Sequence, residues 1–144
     1  MSGAGIAAIV VSYDSEETLD DCLSRLRGAA GVVEIRVVDN ASRDGSLDIV
    51  QRHALADPRL RFIANPDNPG FAVACNQGAA ASTAAWLAFV NPDCFVEVDT
   101  LSRLRAHAWR AMGFDGAGPS SIEQYFDVAM RGKSGDIVLG ADLV

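Results

Sequence analysis

Residues 86–94 read W-L-A-F-V-N-P-D-C. The first five are apolar, the pattern of a strand covered on both faces. Asn91-Pro92-Asp93 stops that run abruptly, because proline has a fixed φ and no N–H to give to a ladder. Two readings follow. Either the tripeptide only ends a strand, or the strand delivers the Asp93 carboxylate to a site.

Working outward, residues 6–12 form a second apolar, β-branched run that reads as a buried strand. Ser15 is the expected N-cap of a helix carrying Leu19, Cys22, Leu23 and Leu26 at helical spacing, and Gly28 closes it. Residues 32–38 and 60–64 read as strands, and 46–55 and 71–82 as helices. The alternation over residues 6–90 predicts an α/β fold, a Rossmann-like, mainly parallel sheet with helices on both faces. Ligands of such sheets sit beyond the carboxyl ends of the strands. Tyr13-Asp14, Asp39-Asn40 and Asn91-Pro92-Asp93 all fall there. Downstream, residues 100–112 read as a helix, 113–121 as a loop, 122–130 as a short helix and 137–139 as a last strand.

The 144 residues suffice for one domain with a core, and 49% of them are hydrophobic. The formal net charge of −7, with no Lys/Arg cluster against it, argues against nucleic acid as a partner. A phosphorylated small molecule remains compatible, since a metal ion can supply positive charge. No apolar run approaches the roughly 20 residues of a spanning helix. Cys22, Cys75 and Cys94 are odd in number and widely spaced, which suits reduced thiols in a cytoplasmic protein. The inner face of the membrane is the alternative location. His53 and His107 read as helix-surface residues.

Asp39 ends a strand ahead of N-A-S-R-D-G-S. It is either an Asx-turn residue or a carboxylate that accepts the imide N–H of a uracil or thymine ring. Asp93, at the tip of its strand, could anchor Mg²⁺ or Mn²⁺, which often use one or two carboxylates plus phosphate oxygens. In N-P-D-N-P-G-F-A-V-A-C-N-Q-G the small residues let a helix lie close to a sheet or a ligand. Asn76 is read either as a surface residue or as a hydrogen bond that fixes the Asp93 loop.

Four motifs occur in order: V-V-S-Y-D-S-E-E-T-L-D-D-C-L, V-V-D-N-A-S-R-D-G-S, N-P-G-F-A-V-A-C-N-Q-G and F-V-N-P-D-C. Together they resemble family-2 glycosyltransferases, most closely the rhamnosyltransferase-like branch, over residues 6–105. The resemblance implies a GT-A fold in one domain, with residues 1–98 as the nucleotide-sugar half and 99–144 as a shortened acceptor half. It implies inverting transfer from a nucleotide diphosphate sugar, a UDP- or dTDP-sugar such as dTDP-rhamnose, to a saccharide or lipid-linked acceptor hydroxyl. By that resemblance Ser12, Tyr13, Asp14, Asp39, Asn40 and Asp44 line the nucleotide pocket. Asn68, Gly70, Phe71 and Asn76 pack against the donor. Asn91 and Asp93 stand in the D-x-D element, with Asp93 as the metal ligand.

The acceptor half departs from the family pattern. Gly113-Phe114-Asp115 comes early, and 126–131 look like the end of the helix that carries the usual Glu-Asp pair, with Gln124 and Tyr125 in its place. An acceptor hydroxyl needs a base. Asp127 is favoured by register and Glu123 is second. A second alignment matches D-I-V-L-G-A-D-L-V to the apolar segment that precedes the family's G-F-D-E. That alignment would make the chain a fragment cut before the base. Separately, the altered Glu-Asp pair and the short acceptor half make a catalytically incomplete binding or assembly module of the same family the alternative. A response-regulator-like domain with Asp39 as phospho-acceptor explains the alternation but neither N-P-G-F-A nor N-P-D. A short acceptor half also leaves apolar surface that a homodimer would cover.

Overall fold

The protein is described by a computed structural model at residues 5–111, 128–132 and 137–141. Strand β1 (Ile6–Ser12) lies mid-sheet, and all seven of its residues are buried. Its β-branched run has no polar alternation because layers cover both of its faces. Next come α1 (Leu19–Gly28), β2 (Val32–Asp39), α2 (Ser46–Ala56), β3 (Leu60–Ala64), α3 (Phe71–Ala80), β4 (Trp86–Val90) and α4 (Thr100–Ala111), followed by β5 (Val128–Gly132) and β6 (Ile137–Ala141). The sheet order is β3-β2-β1-β4-β5-β6. β3, β2, β1 and β4 run parallel, while β5 pairs antiparallel with β4 and β6 antiparallel with β5. The expected mainly parallel sheet is thus present, with an antiparallel margin.

Alternate β1 residues divide the core. Ile6, Ala8 and Val10 join Leu19, Cys22, Leu23 and Leu26 of α1, Ile49 and Val50 of α2, and Leu101 and Ala108 of α4. Ala7, Ile9 and Val11 face the other way, toward Ala74 and Ala79 of α3. The helices therefore lie on both faces. α3 can approach closely because its contact residues are small. A Cβ on Gly78 would come within 2.5 Å of Ile9 Cγ2. Buried Arg36 of β2 holds the end of α3, donating through Nε to Ala81 O at 3.1 Å and pairing with Glu34.

Three local expectations are corrected. Residues 128–130 are strand, not the end of a helix, because they ladder against Val90, Phe89 and Ala88. Residues 122–127 of that expected helix lie outside the described residues, as does the loop at 113–121. Ser15 does not cap α1. Its N–H goes to Ser46 Oγ at 2.8 Å and its Oγ to Tyr13 O at 3.0 Å, so a turn intervenes and Thr18 precedes the helix. His53 is buried rather than on the surface. It bridges α1 and α2, with Nε2 2.7 Å from Asp20 Oδ1 and Nδ1 3.1 Å from Arg27 Nη1. Among the described residues no helix is long and apolar enough to cross a membrane.

Candidate functional site

The sheet order reverses between β1 and β4, and a crevice opens where loops leave such neighbours in opposite directions. An open cleft of about 370 Å³ lies there. Residues 14–18, after β1, form one wall. Asn91, Pro92 and Asp93, after β4, form the other, and Asp44 also lines it.

The first wall is held by side chains that bind backbone N–H groups. Asp14 and Ala41 both adopt positive φ, 46° and 59°, which bends the loops after β1 and β2 toward each other. Asp14 N–H donates to Ser42 Oγ at 2.9 Å, and Asp14 Oδ1 accepts from Arg43 N–H at 2.7 Å. Glu16 N–H donates to Asp44 Oδ2 at 3.1 Å, and Gly45 N–H returns to Glu16 Oε2 at 3.0 Å. Asp44 Oδ1 accepts from Ser46 N–H at 2.9 Å. Burial would raise the Asp44 carboxyl, but the hydrogen bonds from Ser46 and Glu16 outweigh it and hold it below the usual carboxylate range. Asp14, Glu16 and Asp44 therefore spend oxygens on the scaffold.

Asp39 serves its own loop, but it does so through Ser42, three residues on, and not through the residue two on that an Asx-turn uses. Its Oδ2 accepts Ser42 N–H at 3.0 Å and its Oδ1 accepts Ser42 Oγ–H at 2.6 Å. Each oxygen retains lone-pair capacity for a further donor. The residue is buried, as is the neighbouring Ser12, whose Oγ has no hydrogen-bond partner among the described residues. Tyr13 is 48% exposed.

Asn40 belongs to a second network, beyond the cleft. Its Nδ2 donates to Gly70 O at 3.2 Å and its Oδ1 accepts from Asn65 Nδ2 at 2.9 Å. Asn65 and Gln77 exchange a reciprocal amide pair at 2.8 and 3.0 Å. Asn65 and Gln77 were not singled out from the sequence, although both sit inside the segment that carries Asn68 and Gly70. Asn68 Oδ1 accepts from Gly70 N–H at 2.9 Å, and Gly70 adopts φ 97°, which favours glycine. Phe71 is exposed at the start of α3. Asn76 is also exposed, and among the described residues it makes no bond to the Asp93 loop. The cleft thus gathers Asp14, Asp44, Asn91 and Asp93. Asp39 and Ser12 lie behind its first wall at the ends of β2 and β1, and Asn68, Gly70, Phe71 and Asn76 belong to the loop and helix beyond β3.

On the second wall Asn91 O accepts Cys94 N–H at 3.0 Å, closing the turn that presents Asp93. Cys94 and Cys22 are buried beneath it, and Cys22 Sγ lies 3.6 Å from Asn91 O. Burial first, then Cys94 and Asp93, push the Cys22 thiol up. Asp93 itself is exposed and accepts no hydrogen bond among the described residues. No group of three or more His, Cys, Asp or Glu side chains converges among the described residues. A hard cation that keeps its waters and takes phosphate oxygens needs no such cage, so an uncommitted Asp93 on an open polar cleft fits one. Asp127 and Glu123 lie outside the described residues.

Residues 7–122 match the family described as Glycosyl transferase family 2. The chain belongs to that family. It is 32% identical over 131 residues to the succinoglycan biosynthesis protein ExoO of Rhizobium meliloti, a match covering 90% of this chain and 35% of that one. The mannosyltransferase PcManGT from Pyrobaculum calidifontis, solved in complex with GDP-Man and Mn²⁺, superposes with TM-score 0.64 at 25% identity, covering 69% of this chain and 30% of that one. S. aureus TarS 1–349 shares the fold, with TM-score 0.65 at 23% identity over 75% of this chain and 33% of its own. The family-2 chain described here spans about a third to a half of the length of the curated relatives it matches. Its GT-A-like α/β fold is that of these solved neighbours.

Proposed function

We propose that this chain carries the donor-binding half of a metal-dependent, inverting glycosyltransferase. It would take a sugar from a nucleotide diphosphate, a UDP- or dTDP-sugar with dTDP-rhamnose as the branch-specific candidate, to a saccharide or lipid-linked acceptor hydroxyl. One observation carries the reading: the cleft at the β1/β4 switch point has Asp93 on its wall, exposed and accepting no hydrogen bond among the described residues. Asp93 would hold Mg²⁺ or Mn²⁺, which when bound neutralises diphosphate charge. Asp39, held by Ser42, would accept the imide N–H of the base, and Ser12 and Tyr13 would flank it. The solved mannosyltransferase named above holds GDP-Man and Mn²⁺, which supports the donor class.

Asp127 is the proposed base and Glu123 the second choice. The helical register that first favoured Asp127 fails at Val128–Gly132, which is strand. Val128, the residue after Asp127, pairs with Val90, the residue before Asn91. β5 thus begins level with the edge that bears the cleft. A second reading, a donor-binding module without its own base, is favoured by that same strand, since the family's Glu-Asp pair belongs to a helix.

Calorimetric titration of UDP and dTDP, with and without Mn²⁺, tests the donor site. Metal-dependent binding is expected in the wild type and its loss, tenfold or more, in Asp93→Ala. Binding that ignores both Mn²⁺ and the substitution would refute the assignment. Turnover lost in Asp127→Asn, with donor affinity kept, would separate the enzyme from the module.

A further inference from the structure

Among the described residues, the Cys22 side chain links the two walls of the cleft from beneath. Cys22 lies in the first turns of α1, the helix that residues 14–18 lead into. Its sulfur is fully buried and 3.6 Å from Asn91 O, in the turn that presents Asp93. That carbonyl already accepts Cys94 N–H at 3.0 Å, and a carbonyl oxygen has a lone pair for each donor. We propose that Cys22 is a positioning residue: its S–H donates to Asn91 O and fixes the Asp93 turn, and so the width of the cleft, against α1.

Other ties point the same way. Arg25, on the same helix, donates to Val96 O at 3.4 Å, and its guanidinium stands 5.8 Å from the Phe95 ring. Those contacts hold the chain after the turn. Cys22 alone among them touches the Asn91-Pro92-Asp93 tripeptide itself. An alanine there would remove the S–H donor from Asn91 O and loosen the tie between the turn and α1. The functional consequence rests on Asp93 being a cation ligand; the anchoring of the turn does not.

The test uses Cys22→Ala, Cys22→Val (apolar, of similar size, without a donor) and Leu26→Val as a control one turn along α1. The first readout is amide hydrogen exchange at Cys94. An S–H···O bond is weak, so exchange should quicken about two- to fivefold in both Cys22 variants and not in the control. The second readout is UDP titration with and without Mn²⁺: the metal-dependent gain in affinity should shrink while metal-free binding stays the same. A purely structural role would weaken both alike. Unchanged Cys94 exchange in both Cys22 variants overturns the proposal, as does equal acceleration in Leu26→Val. A metal-dependent gain that survives intact despite faster exchange also overturns it. Faster exchange in a protein whose wild type shows no metal-dependent binding upholds the anchor and removes the cation reading of Asp93 instead.

Discussion

At Gly78 two opposing effects can be weighed. Alanine would gain about 1 kcal/mol of helix propensity over glycine. Its Cβ would also stand 2.5 Å from Ile9 Cγ2, and Ile9 is 1% exposed on a central strand. That methyl belongs to a β-branched side chain with little rotamer freedom, so it cannot step aside. Overpacking of this kind costs about 1–3 kcal/mol. At 2.5 Å the clash is severe enough to put the cost in the upper part of that range, so it should win, and Gly78→Ala should lower the urea midpoint by an amount equivalent to about 1–2 kcal/mol; an unchanged or higher midpoint would mean that α3 can lift away from β1. Asp39 was legible only as a pair of alternatives, because a strand-ending Asp serves an Asx-turn and a ligand equally well. His53 could have been read better: Ser46, Ile49, Val50 and His53 share one helical stripe, and that stripe is the buried one.

Among elements, the parallel strands and their helices were legible because each announces itself within its own span. The apolar runs of β1 and β4 are those of strands covered on both faces, β2 ends on such a run at Val37-Val38 although it carries Glu34 and Arg36, and α1 repeats its apolar positions at helical spacing. β5 was not legible. Its residues V-A-M-R-G carry no alternation, and their state is set by pairing with β4, far away in sequence. The N-terminus of α1 was misjudged for a similar reason, since Ser15 spends its groups on Ser46 and Tyr13. The loops after β1 and β2 meet at Ser42, whose Oγ accepts Asp14 N–H and donates to Asp39. Ser42→Ala removes both bonds and leaves a buried carboxylate oxygen short of a donor. It should cost about 1–3 kcal/mol. It should also weaken UDP or dTDP binding in the absence of Mn²⁺, because Asp39 loses its orientation. Chemical unfolding checks the first effect and metal-free titration the second. Loss of stability without loss of affinity would take Asp39 out of the base pocket.

For the molecule as a whole, acid stability depends on how its charges are paired. The formal charge is −7 at pH 7, and titrating the carboxylates removes that repulsion, so acid could in principle favour the compact state. One buried carboxylate opposes this. The Arg59 guanidinium, 2.7 Å from Asp57 Oδ2, lowers the Asp57 carboxyl from 3.8 to about 2 against the pull of burial, with Arg27 adding to it. Arg59 also donates to Val32 O and Arg27 O, so this cluster ties the end of α1 and the start of β2 to β3. With the folded value depressed, the unfolded chain takes up the proton first. The stabilisation is complete above about pH 4 and is lost as pH falls through 2. Arg59 is 33% exposed and Asp57 12%, so screening trims the effect to about 1–2 kcal/mol. Unfolding free energy measured at pH 4 and pH 2 should fall by that much more in the wild type than in Asp57→Asn, which has no proton to take up. Equal falls in the two proteins would mean that the acid lability of the fold comes from other carboxylates and that the Asp57–Arg59 pair is neutral in the balance.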